Sequence, residues 1–259
     1  MGKTALITGA TGGIGYELAR IHAKTGGDLV LVARTKEKLD EIKQDIESSF
    51  KVNVHTIQKD LSLNGSAYDV YNKVNDLNIE IDYLINNAGF GDFRLFAETD
   101  WPKQEKMISL NVTALTHLTR LFLPHMIKRG NGKILNVASV ASFSPGPTMS
   151  VYFATKAYVL SFSEALAEEL KGKGITVTAL CPGPTESNFH FVANDGNIRK
   201  ERKMPSSEEV AEYGYMSMMK GKVVAIPGFM NSLMAASVRF LPRSFVVKTV
   251  RKIQEGKHG

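Results

Sequence analysis

Tyr152 and Lys156 stand four residues apart in Tyr152-Phe153-Ala154-Thr155-Lys156, at the head of a segment with helical apolar period. Residues i and i+4 of a helix share a face, so the phenol and the ammonium can enter one cleft. A tyrosine near its reference pKa of about 10 is a poor base at neutral pH, and a neighbouring cation favours the phenolate. A phenol tuned in this way can give a proton to a carbonyl oxygen as hydride reaches the carbon, or take it back in the reverse direction. By itself a Tyr/Lys pair at this spacing is more often a solvated surface pair, so its surroundings must decide. Ser139 ends Asn136-Val137-Ala138-Ser139, thirteen residues upstream, and Ser142 and Ser144 are competing hydroxyls that read better as loop surface. Asn111, in Ser109-Leu110-Asn111-Val112, falls within a helical pattern where asparagine has modest propensity. A buried asparagine holding a water would explain it.

A second set of residues suits a nucleotide. Thr8-Gly9-Ala10-Thr11-Gly12-Gly13-Ile14-Gly15 follows an apolar strand and opens a helix, where a dinucleotide pyrophosphate meets free backbone N–H groups. Glycines at 9, 13 and 15 permit a tight turn, close approach to phosphate and close helix–sheet packing. The next strand ends Leu31-Val32-Ala33-Arg34, with alanine where an acid would hold the ribose 2′-hydroxyl of NAD and an arginine directly after it. A guanidinium matches a 2′-phosphate, which favours NADP over NAD. Lys38, a helical turn on, reads better as a solvated charge. Asn86-Asn87-Ala88-Gly89 ends a further strand, and two consecutive amides are poor strand formers whose donors and acceptors need partners.

These groups are spread over a regular alternation of short Val/Ile/Leu-rich runs and longer helical segments. Strands are predicted near 3–8, 28–33, 52–57, 82–86, 132–138, 175–181 and 222–226. Helices are predicted near 13–25, 35–49, 64–77, 103–128, 151–171 and 207–219. Strands apolar on both faces, alternating with helices, imply a parallel sheet covered on both sides, a doubly wound α/β (Rossmann) fold of about seven strands. No linker or composition break divides residues 1–259, so a single domain is expected. Residues 184–206 form a long polar insert, expected to be a substrate-binding lid. Residues 228–259 read as a basic extension of two short helices broken at Pro242.

The turn is T-G-x-x-x-G-x-G, not the G-x-G-x-x-G dinucleotide fingerprint. With Asn-Asn-Ala-Gly and Y-x-x-x-K it resembles the short-chain dehydrogenase/reductase superfamily over nearly the whole chain. The resemblance implies a catalytic tetrad of Asn111, Ser139, Tyr152 and Lys156, with Ser139 hydrogen-bonding the reacting oxygen and Asn111 ordering a proton relay to the lysine. It implies an NADP(H) site made from Gly9, Thr11, Gly13, Ile14 and Gly15, Arg34, Asp60 and Leu61, Asn87, Ala88 and Gly89, Tyr152 and Lys156, and Pro182, Gly183 and Thr185. Asp60 read alone is an ordinary capping or turn residue. Thr185 and Ser187 compete to hold the nicotinamide carboxamide, because an aliphatic residue is commoner at the first position and threonine at the second. The implied activity is reduction of a ketone, aldehyde or ketoacyl group to an alcohol. Alternatives are a hydroxysteroid or hydroxyacyl dehydrogenase working oxidatively, and a non-catalytic NADP-binding sensor or scaffold. Phe90, Phe93 and Leu95, Phe143 to Met149, and Phe189 to Val192 would line an apolar substrate pocket. Apolar residues on more than one face from Tyr158 to Leu170 suggest burial against a second subunit, and the family pairs this helix in homodimers and homotetramers.

Lys and Arg number 32 against 26 acids, a formal charge of +6. Residues 239–259 net +5 and residues 199–203 net +3, leaving the remainder at −2, so net charge does not make the body a nucleic-acid binder. The amphipathic tail could lie on an anionic bilayer, although packing on the domain or a partner is the better reading. One cysteine and no metal-ligand spacing suggest a reducing compartment, expected to be cytoplasmic, and no metal. The N-terminal apolar run is too short for a signal peptide, and no stretch reaches about 18 uncharged apolar residues.

Overall fold

A computed structural model describes residues 2–186, Ala193 and 204–256. Seven strands form one sheet: β1 (Thr4–Thr8), β2 (Asp28–Ala33), β3 (Val54–Gln58), β4 (Tyr83–Asn86), β5 (Gly132–Val137), β6 (Ile175–Leu180) and β7 (Val224–Ala225). Every pairing is parallel and the order is β3-β2-β1-β4-β5-β6-β7, the doubly wound arrangement expected. The helices are α1 (Gly13–Lys24), α2 (Lys36–Phe50), α3 (Ser66–Asp76), α4 (Trp101–Ile108), α5 (Leu115–Arg129), α6 (Ser150–Glu169), α7 (Ser207–Met219), α8 (Phe229–Ser237) and α9 (Arg243–Gly256).

Alternating side chains of β1 show why both faces had to be apolar. Ala5 and Ile7 enter a core with Leu18 of α1, Leu39 of α2 and Val210 of α7, whereas Leu6 points the other way to Val70 of α3, Leu118 of α5 and Leu166 of α6. The strand order reverses at β1, whose neighbours are β2 and β4. Ligands of such sheets bind outside the carboxyl ends of the strands at that reversal.

Some boundaries depart from expectation for local reasons. The helix predicted over 103–128 is two helices joined by a π-helical stretch, Ser109–Ala114, which contains Asn111. β3 begins at Val54 because Lys51 caps α2 in the left-handed region (φ 55°) and Asn53 is tied by its N–H to the Asp28 carboxylate. The apolar breadth of α6 is largely used within the chain, since Val159, Leu160 and Leu166 are buried, while Tyr158 stays exposed and stacks on Phe162. The break at Pro242 separates α8 from α9, as the sequence indicated. Of the insert predicted as a lid, 187–192 and 194–203 lie outside the described residues, and with them Ser187, Phe189 to Val192 and the 199–203 cluster.

Candidate active site

A cleft of about 820 Å³ opens at the carboxyl ends of β1, β2, β4, β5 and β6. At its floor the chain turns from β1 into α1. Gly9 has φ +65°, and a Cβ there would sit 2.9 Å from Ala88 Cα and from Asn87 Nδ2. A Cβ on Gly15 would lie 2.4 Å from Asn87 Nδ2 and from the Gly9 carbonyl oxygen, so only glycine permits this packing. Gly12 has nothing within 4 Å of its would-be Cβ, and no side chain caps α1, which leaves the first amides of the helix for an anion.

The side-chain amide nitrogens of Asn86 and Asn87 find their partners here, whereas Asn86 Oδ1 is buried with no hydrogen-bond partner among the described residues. Asn87 Nδ2 donates to the carbonyls of Thr8 (2.9 Å) and Gly9 (3.1 Å), and Thr8 Oγ1 accepts from the backbone N–H of Asn87 and of Ala88, both at 3.0 Å. Asn86 turns the other way and donates to Asn136 Oδ1 (2.9 Å) and Thr119 Oγ1 (3.1 Å) inside the core. One asparagine therefore locks the glycine turn to β4 and the other locks β4 to β5.

Gly9, Thr11, Gly13, Ile14, Arg34, Asp60, Leu61, Asn87, Ala88, Gly89, Pro182, Gly183 and Thr185 all line the cleft, as do Ser139, Tyr152 and Lys156. Gly15 and Asn111 lie just behind its wall. Lys38, read from sequence as a solvated charge, is exposed yet also lines the cleft beside Arg34. Asp60 accepts from the N–H and hydroxyl of Ser62 (2.9 and 2.7 Å), the turn role read for it alone. Burial opposes its ionisation, but those bonds, with Arg34 and Lys106, hold the carboxyl below its usual range.

At the other end of the cleft, β5 and β6 extend their pairing beyond the sheet: Ala138 N–H donates to the Leu180 carbonyl (2.7 Å) and Val140 N–H to that of Pro182 (2.9 Å). This sets Ser139 beside Pro182-Gly183. Ser139 Oγ accepts from Ala141 N–H at 3.1 Å and lies close enough to the Tyr152 phenol to favour its ionised form. The Lys156 ammonium lies 5.8 Å from the centre of the Tyr152 ring and donates to the Val137 carbonyl at 2.7 Å. Asn111 is buried, its amide committed to the Phe90 backbone (3.0 and 3.2 Å) and to Thr155 Oγ1 (3.1 Å). A Cβ on Gly89 would lie 3.0 Å from Asn111 Oδ1 and 3.4 Å from Lys156 Nζ, so that glycine lets the two approach. All four members of the expected tetrad are thus gathered around the β4 and β5 ends.

Three expectations are corrected. Burial pushes the Tyr152 phenol up to about 12, against the pull of Ser139, whereas the spacing to Lys156 had suggested a lowered value. The lysine exerts little pull because its own burial brings it down to about 8. Ser142 is no loop-surface hydroxyl but is buried and donates to the Lys156 carbonyl at 2.7 Å. Of the predicted pocket residues Phe90, Phe93, Ser144 and Met149 line the cleft, whereas Leu95 is 49% exposed outside it and Phe143 packs beside Val159 and Leu160.

Sequence reasoning missed the far wall. Asn231 and Met234 of α8 and Val250, Ile253 and Gln254 of α9 complete the cleft, with Phe153 and Lys103. A Cβ on Gly183 would lie 2.7 Å from Asn231 Nδ2, so α8 seats directly on the Pro-Gly turn. The signal was the helical apolar period of 228–254, which predicts a packed face without saying what it packs on. Lys103 is held at 2.6 Å from the wholly buried Asp92 carboxylate, to which Gln104 also donates (2.7 Å).

The geometry fits a dinucleotide: an uncapped helix N-terminus and glycine turn for pyrophosphate, Arg34 and Lys38 on the β2 side, and Lys156 with Pro182, Gly183 and Thr185 at the other end. Lys156 gives a direct check. Its ammonium is half-titrated near pH 8, and the ribose hydroxyls of a dinucleotide bound at this end of the cleft, accepting from it, would favour the charged form. Cofactor binding therefore takes up a proton, and affinity should fall as pH rises from 7 to 9, by about tenfold for one group. Fluorescence titration across that range reads the slope, and Lys156→Met should flatten it. An unchanged slope in the variant would assign the proton elsewhere.

A doubly wound parallel sheet carrying these side chains at its strand ends is the frame of an α/β oxidoreductase. The short chain dehydrogenase family model matches residues 3–197, and the chain belongs to that family. It is 35% identical to the very-long-chain 3-oxoacyl-CoA reductase of Rattus norvegicus over 96% of this chain and 79% of that one. Among solved structures it resembles a short-chain dehydrogenase from Sphingobium yanoikuyae in complex with NADPH (TM-score 0.83, 33% identity, 92% of this chain and 94% of that one). It also resembles the bulky-bulky ketone specific alcohol dehydrogenase from Comamonas testosteroni (TM-score 0.79, 32% identity, 92% and 93% covered).

Proposed function

We propose that the chain is an NADPH-dependent reductase of an apolar oxo compound, in first place a 3-oxoacyl thioester, which it converts to the 3-hydroxyacyl product. The observation that carries this reading is the arrangement of the cleft, with Ser139, Tyr152 and buried Lys156 gathered at one end and Arg34 at the other. Reduced nicotinamide, when bound, supplies the hydride. Ser139 Oγ and the Tyr152 hydroxyl converge on the place for a substrate oxygen. The high phenol value keeps Tyr152 protonated at neutral pH, so it enters the reductive reaction as the acid. Once a bound dinucleotide favours its charged form, Lys156 stabilises the phenolate left behind, and Asn111 holds the Phe90 backbone and the Thr155 hydroxyl next to it.

Phe90, Phe93, Met149, Phe153, Met234 and Val250 give the substrate end an apolar lining suited to an acyl chain. The rat relative's name points the same way. The test is NADPH oxidation with 3-oxoacyl-CoA thioesters of increasing chain length beside bulky ketones without a thioester. Turnover that rises with acyl length supports the acyl reading. Turnover of the bulky ketones alone would move the assignment to a ketone reductase.

A further inference from the structure

The outward side of α8 and α9, away from the buried Ala235 and Val246, is apolar, exposed and basic. Phe229 and Met230 at the start of α8 are 80% and 71% exposed, and Phe240 in the turn to α9 is 87% exposed. Leu233 shares the helical face of Phe229 and Met230 and is also exposed. The cations Arg239, Arg243, Lys248, Arg251 and Lys252 of the same segment are also exposed, and the one acid in 239–256, Glu255, is paired with Arg251 at 2.7 Å. The inner face is already occupied: Ala235 and Val246 are buried, and Val250 packs against Met107, Ala141, Tyr152 and Phe153. Large side chains left in water in a segment whose exposed charge is of one sign mark a surface that meets something else.

We propose that this face docks on an anionic phospholipid bilayer, with Phe229, Met230 and Phe240 entering the boundary between headgroups and acyl chains and the cations meeting lipid charge. Charge decides the occupant. A second copy on a twofold axis would set each cation of the patch against the same cluster on its partner, whereas an anionic bilayer neutralises all of them. No helix among the described residues is long and apolar enough to cross a membrane, so the contact proposed is peripheral. Met234 and Ile253 belong to the cleft wall and are also exposed, so the docking face runs into the cleft mouth. An amphiphile dissolved in the bilayer then reaches Tyr152 without crossing bulk water. This entry route rests on the oxoacyl reading, whereas the docking itself does not.

The test is co-sedimentation of the full chain with phosphatidylcholine vesicles, with and without about a third phosphatidylserine. Binding is expected only to the anionic vesicles and should be lost at high salt. Replacing Lys248 and Lys252 by serine should weaken it roughly 25-fold, about fivefold for each cation. Replacing Phe229 and Phe240 by serine should weaken it by about tenfold or more. Thermal unfolding and cofactor titration establish that both variants are folded, so the result stands whether or not any oxoacyl thioester is turned over. Absence of binding to anionic vesicles, equal binding to neutral ones, or variants that bind like the parent chain would overturn the proposal. So would a dimer in light scattering that the Phe240→Ser change dissociates.

Discussion

Replacing Tyr152 by phenylalanine should lower turnover by roughly a thousandfold, within the range of about 10²–10⁴ that a positioned general acid contributes, while cofactor affinity stays nearly unchanged. The change removes one hydroxyl and little else. The ring is buried, packs edge-on to Phe153 with centroids 6.2 Å apart, and keeps that contact as phenylalanine. The loss is the hydroxyl beside Ser139 and the proton that burial keeps on the phenol at neutral pH. Lys156 still donates to the Val137 carbonyl and the glycine turn is untouched, so the groups proposed to hold the dinucleotide remain. Single-turnover kinetics with equilibrium cofactor titration separate the two effects. If Tyr152→Phe lost cofactor binding, the residue would be an anchor; if it kept full turnover, another group would supply the proton.

The second large effect is expected at the opposite end of the cleft. Arg34→Ala should reduce the preference for NADPH over NADH by roughly 10- to 100-fold, the about 1.5–3 kcal/mol of a hydrogen bond to a charged group. Arg34 follows the last residue of β2, Ala33, whose carbonyl accepts from Lys59 N–H at 2.8 Å, so the backbone that presents the guanidinium is fixed by β3. Lys38 lines the same part of the cleft and should add a smaller loss when removed. Ala33→Asp combined with Arg34→Ala restores the acid that holds a ribose 2′-hydroxyl and should invert the preference toward NADH. Ratios of kcat/KM for the two cofactors measure this, and an unchanged ratio in Arg34→Ala would remove the arginine from cofactor selection.

Much of this was legible because strands buried on both faces have to be written in apolar runs. All seven strands and the break at Pro242 could be read from such patterns, and so could the places of Ser139 and Tyr152 at the ends of β5 and the start of α6. The π-helical stretch around Asn111 was not legible. Apolar positions such as Met107, Ala114 and Leu118 carry a helical rhythm through it, and one wider turn leaves no mark on residue type. Pocket assignments on loops failed for a related reason: Leu95 and Phe143 are apolar, but residue type does not say where a loop side chain points. The far wall of the cleft comes from α8 and α9, whose approach to the Pro182-Gly183 turn is purely tertiary. The Tyr152 value was misjudged because spacing reveals the neighbouring charge, while burial, which outweighs it here, depends on the packed fold.

Tyr152 and Ser139 are proposed to serve reduction of a carbonyl by NADPH in this cleft. The most direct measurement of that role follows deuterium from nicotinamide-deuterated NADPH during turnover of a long-chain 3-oxoacyl-CoA, with the parent chain and Tyr152→Phe side by side. The expected result is one deuterium on the carbinol carbon of the 3-hydroxyacyl product, one NADPH consumed for each product formed, and almost no product from the variant. NADPH left unconsumed across both oxoacyl thioesters and bulky ketones, or a variant as fast as the parent, would contradict it.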